Sequence, residues 1–340
     1  MENWYPMSTT NDKKRRAIAL FSGGLDSTLA AWLVKKQGVE VIALNVDIGF
    51  GSTKSKLEHM QNMCDQIGVE LRTLDIRDQY LREILFNPKY GYGKNFNPCI
   101  DCHGNMFKIA KGLMEPWGAD FLISGEVVGQ RPMSQRRDAL DIVTKLSETD
   151  DLLLRPLSAK ALPPTLPERE GWVDREQLLG ITGRNREVQL KLAEEIGLKD
   201  FEKPGGGCLL TDENFSKKLA EFVKYDTLEV EDIALLKCGR HLRLPDGAKL
   251  VVGRHQEDNA MIDAAITPKY RKIRLLDATG PVAAVSANAT DADKALAAKI
   301  TATYGKTRPG QTYEVQVGDE VLKVEPFESK EPCQRYFINR

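Results

Sequence analysis

No apolar run in this chain approaches the length of a bilayer span, so no membrane segment is expected. The start, residues 1–11, is polar and aromatic and leads into Lys13-Lys14-Arg15-Arg16. An apolar stretch followed by small residues is missing there, which argues against a signal peptide and for a cytoplasmic location. Charge of one sign is not in excess. Lys and Arg number 48 against 49 Asp and Glu, a net charge of −1, so no global basicity announces a nucleic acid partner. There is no internal repeat and no low-complexity tract, which excludes repeat architectures. Cysteines are few: Cys64, Cys99, Cys102, Cys208, Cys238 and Cys333. In a reducing compartment they read as thiols, metal ligands or catalytic groups rather than disulfides. What remains is an ordinary globular composition, 41% hydrophobic and 29% charged over 340 residues, long enough for two domains and room for a small third.

The most informative stretch is Ser22-Gly23-Gly24-Leu25-Asp26-Ser27. Before it, 17–21 is a short apolar run of the kind found in buried parallel strands. After it, 28–36 reads as a helix with Leu29, Trp32 and Leu33 on one face. Two glycines and two serines at such a turn leave backbone N–H groups free for an anion, and the helix N-terminus adds partial positive charge. No Gly-Lys-Ser/Thr follows, which excludes a Walker A loop.

Further strands are expected at 39–47, 71–76, 119–125 and 152–155, with helices at 55–67 and after Cys102. Alternating strands and helices mean an α/β fold with a parallel sheet covered on both faces, and ligands at the carboxyl ends of its strands. Ser22, Asn45, Asp47, Ser124, Gly125 and Glu126 lie at such ends. Gln130, Arg131, Ser134, Gln135, Arg136 and Arg137 form a polar run just past one of them, suited to phosphate contact or simply to solvent. A helical region covers roughly 174–196, and Lys203-Pro204-Gly205-Gly206-Gly207-Cys208 is a flexible loop. The expected domains are a tail at 1–16, a catalytic domain at 17–210 and a small α+β domain at 211–340. In the last, 233–244 and 248–254 form a hairpin, helices cover 257–266 and 291–304, strands 272–277 and 282–286, and 312–317 with 320–324 closes the chain.

Cys99-Ile100-Asp101-Cys102 stands at a helix start, where the helix dipole stabilises a thiolate. By itself the pattern admits redox, zinc and iron–sulfur chemistry. Cys208 follows three glycines, which let the backbone carry its thiol close to another group. Three thiolates are odd for structural zinc. They suit an iron–sulfur cluster with one open iron, or a persulfide pair in which one cysteine carries sulfur and another resolves it. Cys64, Cys238 and Cys333 read as structural.

The Ser-Gly-Gly-x-Asp-Ser loop resembles that of the PP-loop ATP pyrophosphatases. With the C-x-x-C, the later Cys208, Ser124-Gly125-Glu126-Val127-Val128-Gly129-Gln130 and the Leu-Arg-Pro-Leu of 154–157, residues 17–210 resemble the tRNA thiouridine synthetases, in particular the ThiI-type 4-thiouridine synthase catalytic domain. No THUMP-type region stands before the loop and no rhodanese-like segment after it. The C-terminal segment resembles instead an NFACT-type RNA-binding domain, around Lys237-Cys238-Gly239-Arg240-His241 and Val252-Gly253-Arg254.

The resemblance implies an adenine nucleotide alpha hydrolase-like fold and ATP-dependent tRNA thiolation. A uridine carbonyl oxygen is adenylated, pyrophosphate departs, and sulfur displaces AMP. Ser22, Gly23, Gly24, Asp26 and Ser27 would hold the nucleotide with Asn45, Asp47, Ser124, Gly125 and Gln130. Mg2+ would lie near Asp26 or Asp47, although Asp26 could instead cap its helix. By resemblance to the iron–sulfur members, Cys99, Cys102 and Cys208 would bind a 4Fe-4S cluster and act with Asp26 in catalysis, and His103 could tune it. The implied partners are tRNA and a sulfur donor, free sulfide or a cysteine desulfurase; a homodimer is left open. A persulfide-based 2-thiouridine synthase and an amidating PP-loop ligase are the alternatives, and a non-catalytic RNA-binding protein is a third class. Lys237, Arg240, His241, Arg243, Arg254, His255, Lys269, Arg271, Lys272 and Arg274 are the expected RNA-facing cluster, with Arg131, Arg136, Arg184 and Arg186 in reserve.

Overall fold

The computed structural model describes residues 14–51, 54–202 and 207–338. The loop residues Lys203, Pro204, Gly205 and Gly206 and the tail through Lys13 lie outside them. The chain divides into two compact units. One comprises residues 1–93 and 97–207, the other Lys94–Phe96 and Cys208–Arg340. The division falls between Gly207 and Cys208, three residues before the expected boundary.

The first unit is a parallel α/β sheet. Its elements run β1 (Arg16–Leu20), α1 (Leu25–Lys35), β2 (Glu40–Asp47), α2 (Lys54–Ile67), β3 (Glu70–Asp75), α3 (Cys99–Gly112), β4 (Phe121–Ile123), α4 (Arg137–Leu146), β5 (Leu153–Leu154) and α5 (Glu187–Glu195). The strand order is β3-β2-β1-β4-β5, all parallel. Ala17, Ala19, Val41, Ala43, Phe121 and Ile123 bury against Leu29, Leu33, Met60 and Met63. Because β1 lies between β2 and β4, the order reverses at its carboxyl end, which places the Ser22–Ser27 loop at the topological switch point.

Two expectations change here. Only α5 and a short 3-10 turn, Arg175–Gln177, are helical within 174–196. Residues 178–182 instead run as an extended strap, with Leu179 N donating to Pro156 O (3.0 Å) and Ile181 N to Leu157 O (2.8 Å). Leu178 and Ile181 enter the core this way, and Gly183 at φ +81° is poor helix former territory. The helix α4 was not read from the sequence.

The second unit carries α6 (Glu213–Phe222), α7 (Asp232–Leu236), β6 (Arg240–Arg243), β7 (Lys249–Val252), α8 (Gln256–Ala264), β8 (Tyr270–Leu275), β9 (Ala283–Ser286), α9 (Asp291–Thr303), β10 (Tyr313–Val317) and β11 (Glu320–Val324). Its antiparallel sheet has the order β11-β10-β8-β9-β7-β6, with Ala297, Ala298, Ile300 and Ala302 of α9 in the same core as Leu250, Ile273 and Val315. The expected strand at 233–244 is half helix. Ile233, Leu235 and Leu236 bury as a helical turn, and Gly239 at φ +74° ends it before β6. Cys238 therefore sits at a helix end, not in a strand. Burial pushes the thiols of Cys64 up to about 12 and of Cys238 and Cys333 up to about 11. Among the described residues no helix is long and apolar enough to cross a membrane.

Candidate active site

The loop between β1 and α1 is built for close approach. Gly23 has φ +75°, and a Cβ there would meet Met60 Cγ at 2.5 Å. Gly24 is the N-cap of α1 and offers no side chain to it. The first-turn amides of 25–27 have no intrahelical acceptor, so they are left for an anion. Ser27 Oγ donates to Gly24 O (2.9 Å) and lies 3.2 Å from Ser22 Oγ, which accepts from Gly24 N (3.3 Å). The two hydroxyls thus hold the loop's curve. Across the reversal point, Gly125 packs against the loop so tightly that a Cβ would meet the Ser27 backbone N and Cα at 2.7 Å.

Asn45 ends β2 beside the loop. Its Nδ2 donates to Phe21 O (3.2 Å), while its Oδ1 is buried with no hydrogen-bond partner among the described residues. A buried acceptor left open at a strand end fits a ligand donor. Asp47 is occupied locally, with Oδ1 accepting from Gly49 N (2.8 Å). Ser124 is buried, and its hydroxyl accepts from Glu126 N (3.1 Å). Both therefore shape strand ends.

Asp26 does not cap its helix. Oδ2 accepts from Gln130 Nε2 (2.6 Å) and Oδ1 from Arg186 Nη2 (3.2 Å). Gln189, fully buried on α5, donates to Gln130 Oε1 (3.2 Å). The strap brings Arg186 there: Gly183 N donates to Val128 O (2.7 Å), and Ser158 Oγ joins Val128 N to Ile181 O. Each Asp26 oxygen accepts one hydrogen bond and keeps a second lone pair, so a Mg2+ ion would share the carboxylate with Arg186 and Gln130.

Cys99 and Cys102 share the first turn of α3. Asp101 between them is spoken for, its oxygens accepting from Lys89 N and Tyr90 N (2.9 and 3.0 Å). Burial pushes the Cys99 thiol up, against the Asn97 amide that donates to its Sγ (3.1 Å) and the charge of Arg131. Cys102 is buried. Its neighbour His103 places Nδ1 2.8 Å from Glu126 Oε1, and Arg155 Nε donates to Glu126 Oε2 (3.0 Å). Burial alone would raise the Glu126 carboxyl, but Arg155 and His103 outweigh it and hold it at about 2. The sequence placed Glu126 and His103 near the site. It did not show that they pair, nor that Arg155 of the Leu-Arg-Pro-Leu segment completes the group.

Cys208 belongs to the second unit. Among the described residues no group of three His, Cys, Asp or Glu side chains is placed to hold a metal ion.

Residues 15–166 match the family model described as the tRNA methyl transferase HUP domain, and residues 239–337 that of the NFACT protein RNA binding domain. The tRNA-specific 2-thiouridylase MnmA of Proteus mirabilis is 24% identical over 227 residues, covering 63% of this chain and 58% of its own. That of Marinobacter nauticus is 26% identical over 255 residues, covering 71% and 58%. The chain thus spans 58% of the length of each of these relatives. A solved 4-thiouridine synthetase–RNA complex with bound ATP aligns at a TM-score of 0.40 and 20% identity, over 58% of this chain and 46% of that one. The chain therefore joins a segment similar to the tRNA methyl transferase HUP domain to a segment similar to the NFACT protein RNA binding domain.

Proposed function

We propose that the chain thiolates a uridine of tRNA at the expense of ATP. The observation that carries this reading is a two-residue link. Gly125 lies against the Ser27 backbone, and Glu126, the next residue, holds His103 beside Cys102. An anion-binding loop and a pair of thiols thus share one end of one sheet. Alkoxide-like oxygen leaves a uracil poorly, and adenylation turns it into a leaving group. The first-turn amides of α1 and the hydroxyls of Ser22 and Ser27 would hold the departing pyrophosphate, where negative charge develops. Asn45 Oδ1 would accept from the nucleotide, and Arg186 would turn from Asp26 to the phosphates.

The sulfur step uses thiols. A terminal persulfide sulfur on one cysteine attacks the activated carbon and AMP leaves. A second cysteine thiolate then attacks the carrier sulfur, which forms a disulfide and frees the thiocarbonyl. An external thiol must reduce that disulfide for the next turnover, and a cysteine desulfurase would reload the sulfur. Cys99, Cys102 and Cys208 are the candidates for carrier and resolver. The persulfide route is carried by the Cys99–Cys102 pair in the first turn of α3, where one thiol can carry sulfur and a second can resolve it. The names of the relatives favour the 2-oxygen over the 4-oxygen. The second unit would hold the tRNA.

Nucleoside analysis of tRNA from cells lacking the gene tests the reading. Loss of 2-thiouridine is the expected result, loss of 4-thiouridine alone would move the reaction to the other oxygen, and unchanged thionucleosides would remove the proposal. The purified protein should form AMP and pyrophosphate from ATP. ADP as the product would contradict the loop assignment.

A further inference from the structure

A concavity of about 450 Å³ opens on the second unit, beside α6 and against the C-terminal turn 331–338. Its lining includes Lys217, Lys224, Tyr225, Arg243, Arg335 and Tyr336. The turn is pinned in place: Phe337 bridges to Leu242, and Ile338 N donates to His241 O (3.1 Å). Four cationic side chains meet a single carboxylate in the lining, Glu221. Arg243 and the buried Lys249 already satisfy both its oxygens, at 2.5 and 2.6 Å. Among the described residues neither Lys224 nor Arg335 enters an ion pair, and Lys217 has only an exposed pairing with Glu213. Tyr225 is 61% exposed, with the Arg243 guanidinium 4.0 Å from its ring centroid. Arg335 lies 4.7 Å from that of Tyr336.

Of the basic residues expected from the sequence to face RNA, Arg243 lines the concavity and several others are engaged elsewhere. Arg240 donates to Gly253 O (2.9 Å) and lies over Tyr304. Arg254 pairs with Asp258 (2.6 Å), Lys269 with Asp232 (2.9 Å), Arg271 with Glu320 (3.3 Å) and Lys272 with Asp263. Cations without carboxylate partners and exposed aromatic faces coincide at the concavity.

We propose that it binds an unpaired nucleotide of RNA, the base stacked on Tyr225 and the flanking phosphates on Lys224 and Arg335. Single-stranded RNA is recognised by such a pairing of aromatic faces with cations, because an unpaired base can leave its stack and a duplex base cannot. The inference rests on the RNA-binding part of the proposed function and deepens it.

Fluorescence anisotropy of the full chain with a labelled single-stranded RNA dodecamer, the matching blunt duplex, and tRNA tests it. The single strand is expected to bind more tightly than the duplex. Tyr225→Ala should weaken it by about tenfold, with Tyr225→Phe close to the parent. Lys224→Glu with Arg335→Glu should lower the slope of log K against log salt by about 1.4. Melting followed by circular dichroism checks that each variant folds. Equal binding of duplex and single strand, or parental affinity in folded Tyr225→Ala, would overturn the pocket. If the parent binds neither the dodecamer nor tRNA, the RNA-binding reading fails with it. If tRNA binding persists in every variant while the dodecamer is lost from none, the pocket alone fails and another face or a peptide ligand takes its place.

Discussion

Arg186 Nη2 stands 3.2 Å from Asp26 Oδ1, which joins the start of α5 to the first turn of α1 across 160 positions of sequence. Gln130 takes the other oxygen at 2.6 Å. The acidic residue of the loop is therefore held by a cation and an amide, both little exposed. An arginine at that point can neutralise either the carboxylate or an arriving phosphate, but not both at full strength.

A double-mutant cycle with Arg186→Ala and Asp26→Ala in urea unfolding should give a coupling of about 1–2 kcal/mol. A coupling below about 0.5 kcal/mol would show that the pair contributes nothing to the fold. Arg186→Ala should also lower ATP–pyrophosphate exchange by about tenfold or more, if the guanidinium turns to the phosphates.

Gly125→Ala should damage the loop without touching its residues. The added methyl would lie 2.7 Å from Ser27 backbone atoms, and backbone at a helix start cannot yield as a flexible side chain would. Isothermal titration with ATP should show affinity reduced about tenfold or more, whereas Gly112→Ala, which meets nothing, should bind as the parent does.

Replacing Cys99, Cys102 or Cys208 with Ala should each reduce thiolation, and Cys64→Ala, Cys238→Ala and Cys333→Ala should spare it. Protein prepared free of iron should remain active, and mass spectrometry should find one added sulfur on a cysteine of the first set. Activity that follows iron content would restore the cluster. Full thiolation by Cys208→Ala would confine the sulfur chemistry to α3.

Acid should weaken the first unit through Glu126. Its carboxyl is held at about 2 in the fold, against 4.5 as its ordinary value. Protons therefore bind the unfolded chain more readily. The stabilisation is complete above about pH 4.5 and is lost as the pH falls toward 2, on the order of 3 kcal/mol in all. Urea unfolding of Glu126→Gln at pH 7 should show a loss of about that size. Its stability should also change less between pH 5 and 3 than the parent's, and parallel profiles would exclude the assignment.

What the sequence determined alone is local. A strand, two glycines and a helix were readable at 17–36 because each rests on its own neighbours: apolar run, positive φ and unpaired first-turn amides. The parallel sheet followed from alternation, and the thiols of Cys99 and Cys102 from their spacing at a helix start. Tertiary structure decided the partners. Arg186 and Asp26, Glu126 with His103 and Arg155, and the open oxygen of Asn45 are pairings or vacancies across distant positions, and no periodicity encodes them. The basic residues of the second unit show the same limit from the other side. Their charge was plain in the sequence, but whether a charge is free depends on which carboxylate the fold brings to it. Arg254 found Asp258 one helical turn away, while Lys224 and Arg335 found no carboxylate among the described residues. The strap at 178–182 departs from the expected helix for a related reason: burial of Leu178 and Ile181 against the core outweighs their local propensity.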